Sequence, residues 1–121
     1  MGALRVLLVD DYEPYRACVA HFLRTRLGAE VIEAGDGLVA LEHTKAGTFD
    51  VILLDVEMPT MDGAETFGRL DPVHAARTLF VTAGGRGERE AWLLRFEAEG
   101  RVLRKPVDLD RLTKAMAGLR S

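Results

Sequence analysis

Apolar residues fall into five short runs, and in the stretches between those runs they return at helical spacing. LRVLLVD (4–10) is rich in Leu and Val, which suits a strand buried on both faces, and it ends in the acids Asp10 and Asp11. EPYRACVAHFLRTRLG then brings Tyr15, Cys18, Val19, Phe22, Leu23 and Leu27 to one helical face, with Pro14 suited to the first turn and Gly28 to the stop. EVIEA (30–34) predicts a second strand and DGLVALEHTKAG a helix capped by Asp36 and ended by Gly47. FDVILL (49–54) is a third strand running into Asp55, followed by the loop VEMPTMDG.

Beyond that loop, AETFGRL (64–70) predicts a short helix ended before Pro72, and RTLFVT (77–82) a fourth strand. AGGRG (83–87) reads as a flexible connection. EREAWLLRFEAE (88–99) spaces Ala91, Trp92, Phe96 and Glu99 along helical turns, with Gly100 to stop it, and RVLR (101–104) is a fifth strand leading to Lys105 and Pro106. DLDRLTKAMAGL closes the chain as a helix capped by Asp108, with Leu109, Leu112, Met116 and Leu119 on one face. Strands alternating with helices predict an α/β fold: a parallel sheet covered on both faces by right-handed crossovers, a three-layer α/β/α sandwich.

At 121 residues the length suits one domain spanning 1–121. With 48% hydrophobic and 29% charged residues and a net charge of -3, the composition is that of a globular protein, and its acidic balance argues against nucleic acid as a partner. No apolar run reaches the roughly 18 to 20 residues of a membrane span, and the amino terminus meets the Asp10–Asp11 pair too soon for a signal peptide; a cytoplasmic location is expected. The single cysteine, Cys18, excludes an internal disulfide and reads as a buried, inert thiol on its helix.

In open α/β sheets ligands bind beyond the carboxyl ends of the strands, where strand order reverses. Here those ends carry Asp10 and Asp11, Asp55, Thr82 and Lys105. With strand order 2-1-3-4-5, strands one and three lie roughly 5 Å apart and three carboxylates converge. Their mutual repulsion needs an offset, and an all-oxygen acidic cluster without His or Cys asks for a hard divalent cation, Mg²⁺. Open positions on such a cation take phosphoryl oxygens, while Lys105 and the Thr82 hydroxyl can meet the others. Asp55, central in the set, reads as a carboxylate nucleophile that becomes an acyl phosphate.

The set of Asp10–Asp11, DVEMPTMDG at 55–63, Thr82–Ala83 and Lys105–Pro106 resembles the receiver domain of two-component response regulators, over essentially the whole chain. The resemblance implies a flavodoxin-like sheet of order 2-1-3-4-5, with Asp55 as phosphoacceptor, Asp11 as a direct Mg²⁺ ligand and Asp10 acting mainly through water. It further implies that the Glu57 backbone carbonyl is the third protein ligand, that Thr82 is the switch hydroxyl and that Lys105 is the phosphate partner. The backbone groups of Val56 and Ala83 would contact the phosphoryl group, and the Lys105–Pro106 peptide would be cis. The implied donor is a phosphohistidine on a sensor histidine kinase or phosphotransfer protein. The implied output is a protein target rather than nucleic acid or membrane, with a homodimer formed on phosphorylation as a further outcome. The receiver catalyses its own phosphorylation and dephosphorylation and is not a turnover enzyme.

Two positions depart from the family pattern. Where an aromatic usually stands three residues before the lysine, this chain has Val102, so the AGGRG loop is expected to carry the signal instead. Glu57, two past Asp55, and Gly84, two past Thr82, are placed by the resemblance at the rim of the site, where a Gly leaves an acyl phosphate open to water and implies a short-lived phosphorylated state. A pseudo-receiver, docking constitutively without phosphoryl chemistry, is the alternative, and a Mg²⁺-dependent phosphatase a more distant one. As a chain it reads as a signalling module without an output domain, either a stand-alone regulator or part of a longer protein such as a hybrid sensor kinase.

Other polar residues have plainer readings. Asp62 and Gly63 start the third helix, AGGRGE lacks the GxxxxGK(S/T) spacing of a phosphate loop, and His21, His43 and His74 share no metal-binding spacing. Trp92 and Phe96 are packing residues.

Overall fold

The computed structural model describes residues 3–84 and 88–120. Five strands, β1 (Arg5–Val9), β2 (Glu30–Ala34), β3 (Val51–Asp55), β4 (Thr78–Thr82) and β5 (Val102–Arg104), pair in parallel in the order β2-β1-β3-β4-β5. This is the predicted flavodoxin-like order.

Because side chains alternate along a strand, each central strand feeds two cores. Val6, Leu8, Leu53, Leu79 and Val81 pack beneath α1 (Glu13–Leu27) and α6 (Leu109–Arg120), meeting Val19, Leu23, Leu112 and Met116. On the opposite face Leu7, Val9, Leu54 and Phe80 meet α2 (Gly37–Ala46), α3 (Gly63–Gly68) and α5 (Leu94–Ala98) through Ala40, Phe67 and Phe96. β3 is buried throughout, so the acid at its end is carried by a central strand enclosed on both faces. Among the described residues no helix is long and apolar enough to cross a membrane.

Several elements differ from expectation. Cys18 is exposed: it stands about 100° round the helix from Val19, and the buried stripe runs through Val19, Ala20 and Leu23 instead. Leu27 and Leu109, at helix ends, are also exposed. A one-turn helix, α4 (Pro72–Ala75), occupies what read as connection; the Asp71 side chain accepts the His74 N–H and Pro72 supplies the first helical position. His74 is buried there, its Nε2 accepting the Phe49 N–H at 3.1 Å and its Nδ1 lying 2.6 Å from Asp71, so it joins α4 to the entry of β3.

The helix expected over 88–99 begins as a 3₁₀ segment (Glu88–Leu93) and becomes α5 only at Leu94. No side chain caps α5 at Leu93, while Leu93 and Phe96, three residues apart, are both buried. Trp92 and Phe96 do pack against the sheet.

Candidate functional site

Register alone assembles the acids. Val9 pairs with Leu54, so the next residues, Asp10 and Asp55, leave adjacent strands side by side at the carboxyl edge. Oxygens of Asp10, Asp11 and Asp55 lie within 4.8 Å of one another. Asp10 and Asp55 are each only 3% exposed, whereas Asp11 faces solvent.

Asp10 is held on every side. Its N–H donates to the Ala34 carbonyl at 3.1 Å, its Oδ1 accepts the Tyr12 N–H at 2.9 Å, and its carbonyl accepts from Arg16 at 2.7 Å. Asp55 has less support, with the Glu57 N–H 3.3 Å from its Oδ1.

Lys105 reaches over from the end of β5 and lies between the two acids, its Nζ 2.9 Å from Asp10 Oδ2 and 3.5 Å from Asp55 Oδ2. The ammonium also stands 4.9 Å from the centre of the Tyr15 ring. The Lys105–Pro106 peptide is cis, as the resemblance implies.

Burial, then the charge of Asp10, pushes the Asp55 carboxyl up to about 7, with Lys105 pulling the other way. Burial lowers the Lys105 pKa, but its bond to Asp10 and the charges of Asp55 and Asp10 outweigh that and hold it above the ordinary lysine value. One lysine thus offsets two buried acids only in part, and an all-oxygen donor set this crowded fits a hard divalent cation.

Thr82, fully buried at the end of β4, and Ala83 complete the edge. The Thr82 hydroxyl donates to Glu57 Oε2 at 2.5 Å and the Ala83 N–H to Glu57 Oε1 at 2.6 Å. The Val56 N–H is taken by the Val81 carbonyl at 2.9 Å. The structure thus brings Asp10, Asp11, Asp55 and Lys105 together, and it links Thr82 and Ala83 to the carboxylate of Glu57, a residue the resemblance placed at the rim of the site without giving its side chain a partner. A fourth acid two residues past Asp55 was the available signal.

The loop leaving Asp55 depends on Gly63. Its N–H donates to the Val56 carbonyl at 2.9 Å, and a Cβ there would meet the Asp55 carbonyl oxygen at 2.6 Å and the Val56 Cα at 2.7 Å. Asp62 caps α3 by accepting the Glu65 N–H at 2.9 Å. Gly63→Ala is expected to cost roughly 1 to 3 kcal/mol of stability by overpacking against backbone. Urea unfolding checks it, and an unchanged midpoint would mean that the loop yields freely.

A five-stranded parallel sheet of this order with acids, a hydroxyl and a lysine at its carboxyl edge defines a receiver domain. The response regulator receiver domain family matches residues 6–117, and the chain belongs to that family. It is 37% identical over 107 residues to the autoinducer 1 sensor kinase/phosphatase LuxN of Vibrio campbellii, covering 88% of this chain and 12% of that protein. It is 34% identical over 122 residues to the transcriptional regulatory protein BtsR of Escherichia coli, covering 97% of this chain and 48% of that one. The chain thus spans half or less of the length of these curated relatives. Among solved structures, the Vibrio cholerae chemotaxis protein CheY4 superimposes with a TM-score of 0.81 at 32% identity, covering 98% and 99% of the two chains. The chain is a receiver of two-component phosphorelay signalling.

Proposed function

We propose that residues 1–121 form one receiver unit that takes a phosphoryl group from a phosphohistidine onto Asp55 and thereby switches protein contacts. The observation that carries this reading is the convergence of Asp10, Asp11 and Asp55 with Lys105 lying between two of them.

Mg²⁺ would be held by the side chains of Asp10, Asp11 and Asp55 and by the Glu57 carbonyl; when bound it supplies charge neutralisation for the acids and the phosphoryl oxygens. In the transfer, an Asp55 carboxylate oxygen forms a bond to phosphorus as the P–N bond breaks, and that electron pair leaves with the donor imidazole. Asp10 and Lys105 keep the Asp55 carboxylate oriented, since both it and Asp10 are tied to the same ammonium. Lys105 then stands 3.5 Å from the reacting carboxylate, where its charge can meet a phosphoryl oxygen. Hydrolysis of the acyl phosphate resets the domain, so the chain works as a switch and not as a turnover enzyme on a free substrate.

Its partners are then a sensor histidine kinase or phosphotransfer protein and a downstream protein target, in the cytoplasm. With Val102 in place of an aromatic, we assign the signal to the loop after β4. The Gly84 N–H donates to Thr82 Oγ1 at 3.1 Å, the Gly84 carbonyl accepts from Arg104 Nη1 at 2.7 Å, and Arg104 Nη2 meets Glu97 of α5 at 2.6 Å. A shift of Thr82 would therefore be felt at α5 without any ring at 102. Residues 85–87 of the AGGRG segment lie outside the described residues.

Incubation with Mg²⁺ and acetyl phosphate tests the chemistry. An acid-stable, base-labile phosphoryl adduct is expected on the wild type and none on Asp55→Ala. An unlabelled wild type would make the domain a constitutive docking module, and continuous turnover of varied phosphomonoesters would make it a phosphatase.

A further inference from the structure

The Thr82 hydroxyl and the Ala83 N–H are the two donors that an incoming phosphoryl group needs on the β4 side of the site. Both already end on one carboxylate, that of Glu57, at 2.5 Å and 2.6 Å. Each Glu57 oxygen serves one donor, so the side chain presents a pair of anionic oxygens as a phosphoryl group would. Its backbone is fixed beside the acceptor, since the Glu57 N–H lies 3.3 Å from Asp55 Oδ1. The loop is further braced in this arrangement, with the Gly84 N–H on Thr82 and the Gly84 carbonyl on Arg104.

We propose that the Glu57 side chain is an internal competitor for the phosphoryl site. In the resting chain its carboxylate occupies the Thr82–Ala83 donor pair and keeps the β4 loop in its unsignalled form. It swings out when a phosphoryl group forms on Asp55 and returns when that group is lost. Glu57 is exposed, so the outward path is open to solvent and costs no core packing. The inference rests on the receiver reading and gives the Glu57 side chain a role separate from that of its backbone carbonyl.

Two measurements test it on the full chain. Without any phosphodonor, the Ala83 amide proton of Glu57→Ala is expected to move upfield and exchange faster than in the wild type. With Mg²⁺ and acetyl phosphate, Glu57→Ala is expected to label about tenfold faster, the size of one lost hydrogen bond to a charged group. Glu57→Gln keeps an acceptor but loses the charge, so it should label at an intermediate rate. Equal rates for the Gln and Ala variants would reduce the effect to charge repulsion and overturn the competitor. An Ala variant no faster than the wild type, with Asp55→Ala unlabelled, would overturn it while leaving the receiver reading standing. No labelling of any variant would overturn both.

Discussion

Replacing Asp55 by asparagine is expected to stabilise the metal-free protein by about 3 kcal/mol more at pH 8 than at pH 5. Asp55 carries a folded-state pKa of about 7 against an ordinary 3.8, because it is buried and beside Asp10, with Lys105 only partly compensating. Between those two values the folded protein holds a proton that the unfolded chain has lost. Stability therefore falls as pH rises from about 4 to about 7 and levels off above, and most of that loss lies between pH 5 and pH 8. Asparagine keeps the shape and has no proton to lose, so its advantage grows over the same window. Urea unfolding of both variants in chelator checks this, and a difference independent of pH would show that Asp55 titrates normally. On the proposed reading, the strain of ionised Asp55 is also what Mg²⁺ relieves, so added Mg²⁺ should stabilise the wild type more at pH 8 than at pH 5.

How far the sequence reveals this site follows from what kind of interaction made each part. Three strand ends were legible because burial on both faces produces unbroken apolar runs, and Asp10, Asp55 and Thr82 each end or follow such a run, whereas Lys105 follows the short, half-buried β5. Parallel pairing then leaves little freedom in where those residues meet. Helix faces were less legible: Cys18 shared the apolar periodicity of α1, but a 15-residue helix buries only a narrow stripe, and Cys18 lay outside it. The α4 turn was hidden because Asp71–Pro72 reads equally well as the end of one helix and the start of another. What the sequence could not reveal was side-chain direction. Glu57 was visible as an acid on a loop, yet its grip on Thr82 and Ala83 depends on a rotamer that no periodicity encodes. Gly63 likewise read as a turn residue, while the reason for it is the Asp55 backbone 2.6 Å from where a Cβ would stand.

Phe80→Ala is expected to cost about 3 to 5 kcal/mol, and Val102→Phe to destabilise by roughly 1 to 3 kcal/mol rather than to restore a missing switch. Phe80 is fully buried, and its ring lies 4.9 Å from Phe67, 5.2 Å from Trp92 and 4.9 Å from Phe96. It pairs in register with Val102, whose side chain packs into the same cluster. Rings contributed by α3 and by the segment leading into α5 thus fill the space beside β5, and a larger side chain at 102 has to displace one of them. Phe80 and Thr82 lie two residues apart on β4, hence on the same face of the sheet. On the proposed reading, a movement of Thr82 would thus occur on the face that carries this packed aromatic cluster, whether or not residue 102 is aromatic. Trp92 is the chain's single tryptophan, so its fluorescence reports on that cluster directly. Denaturant midpoints for the two variants, followed by that signal, decide the matter. A Val102→Phe protein more stable than the wild type would mean that room for an inward-turned ring exists after all, and the signal route through Gly84, Arg104 and Glu97 would lose its reason.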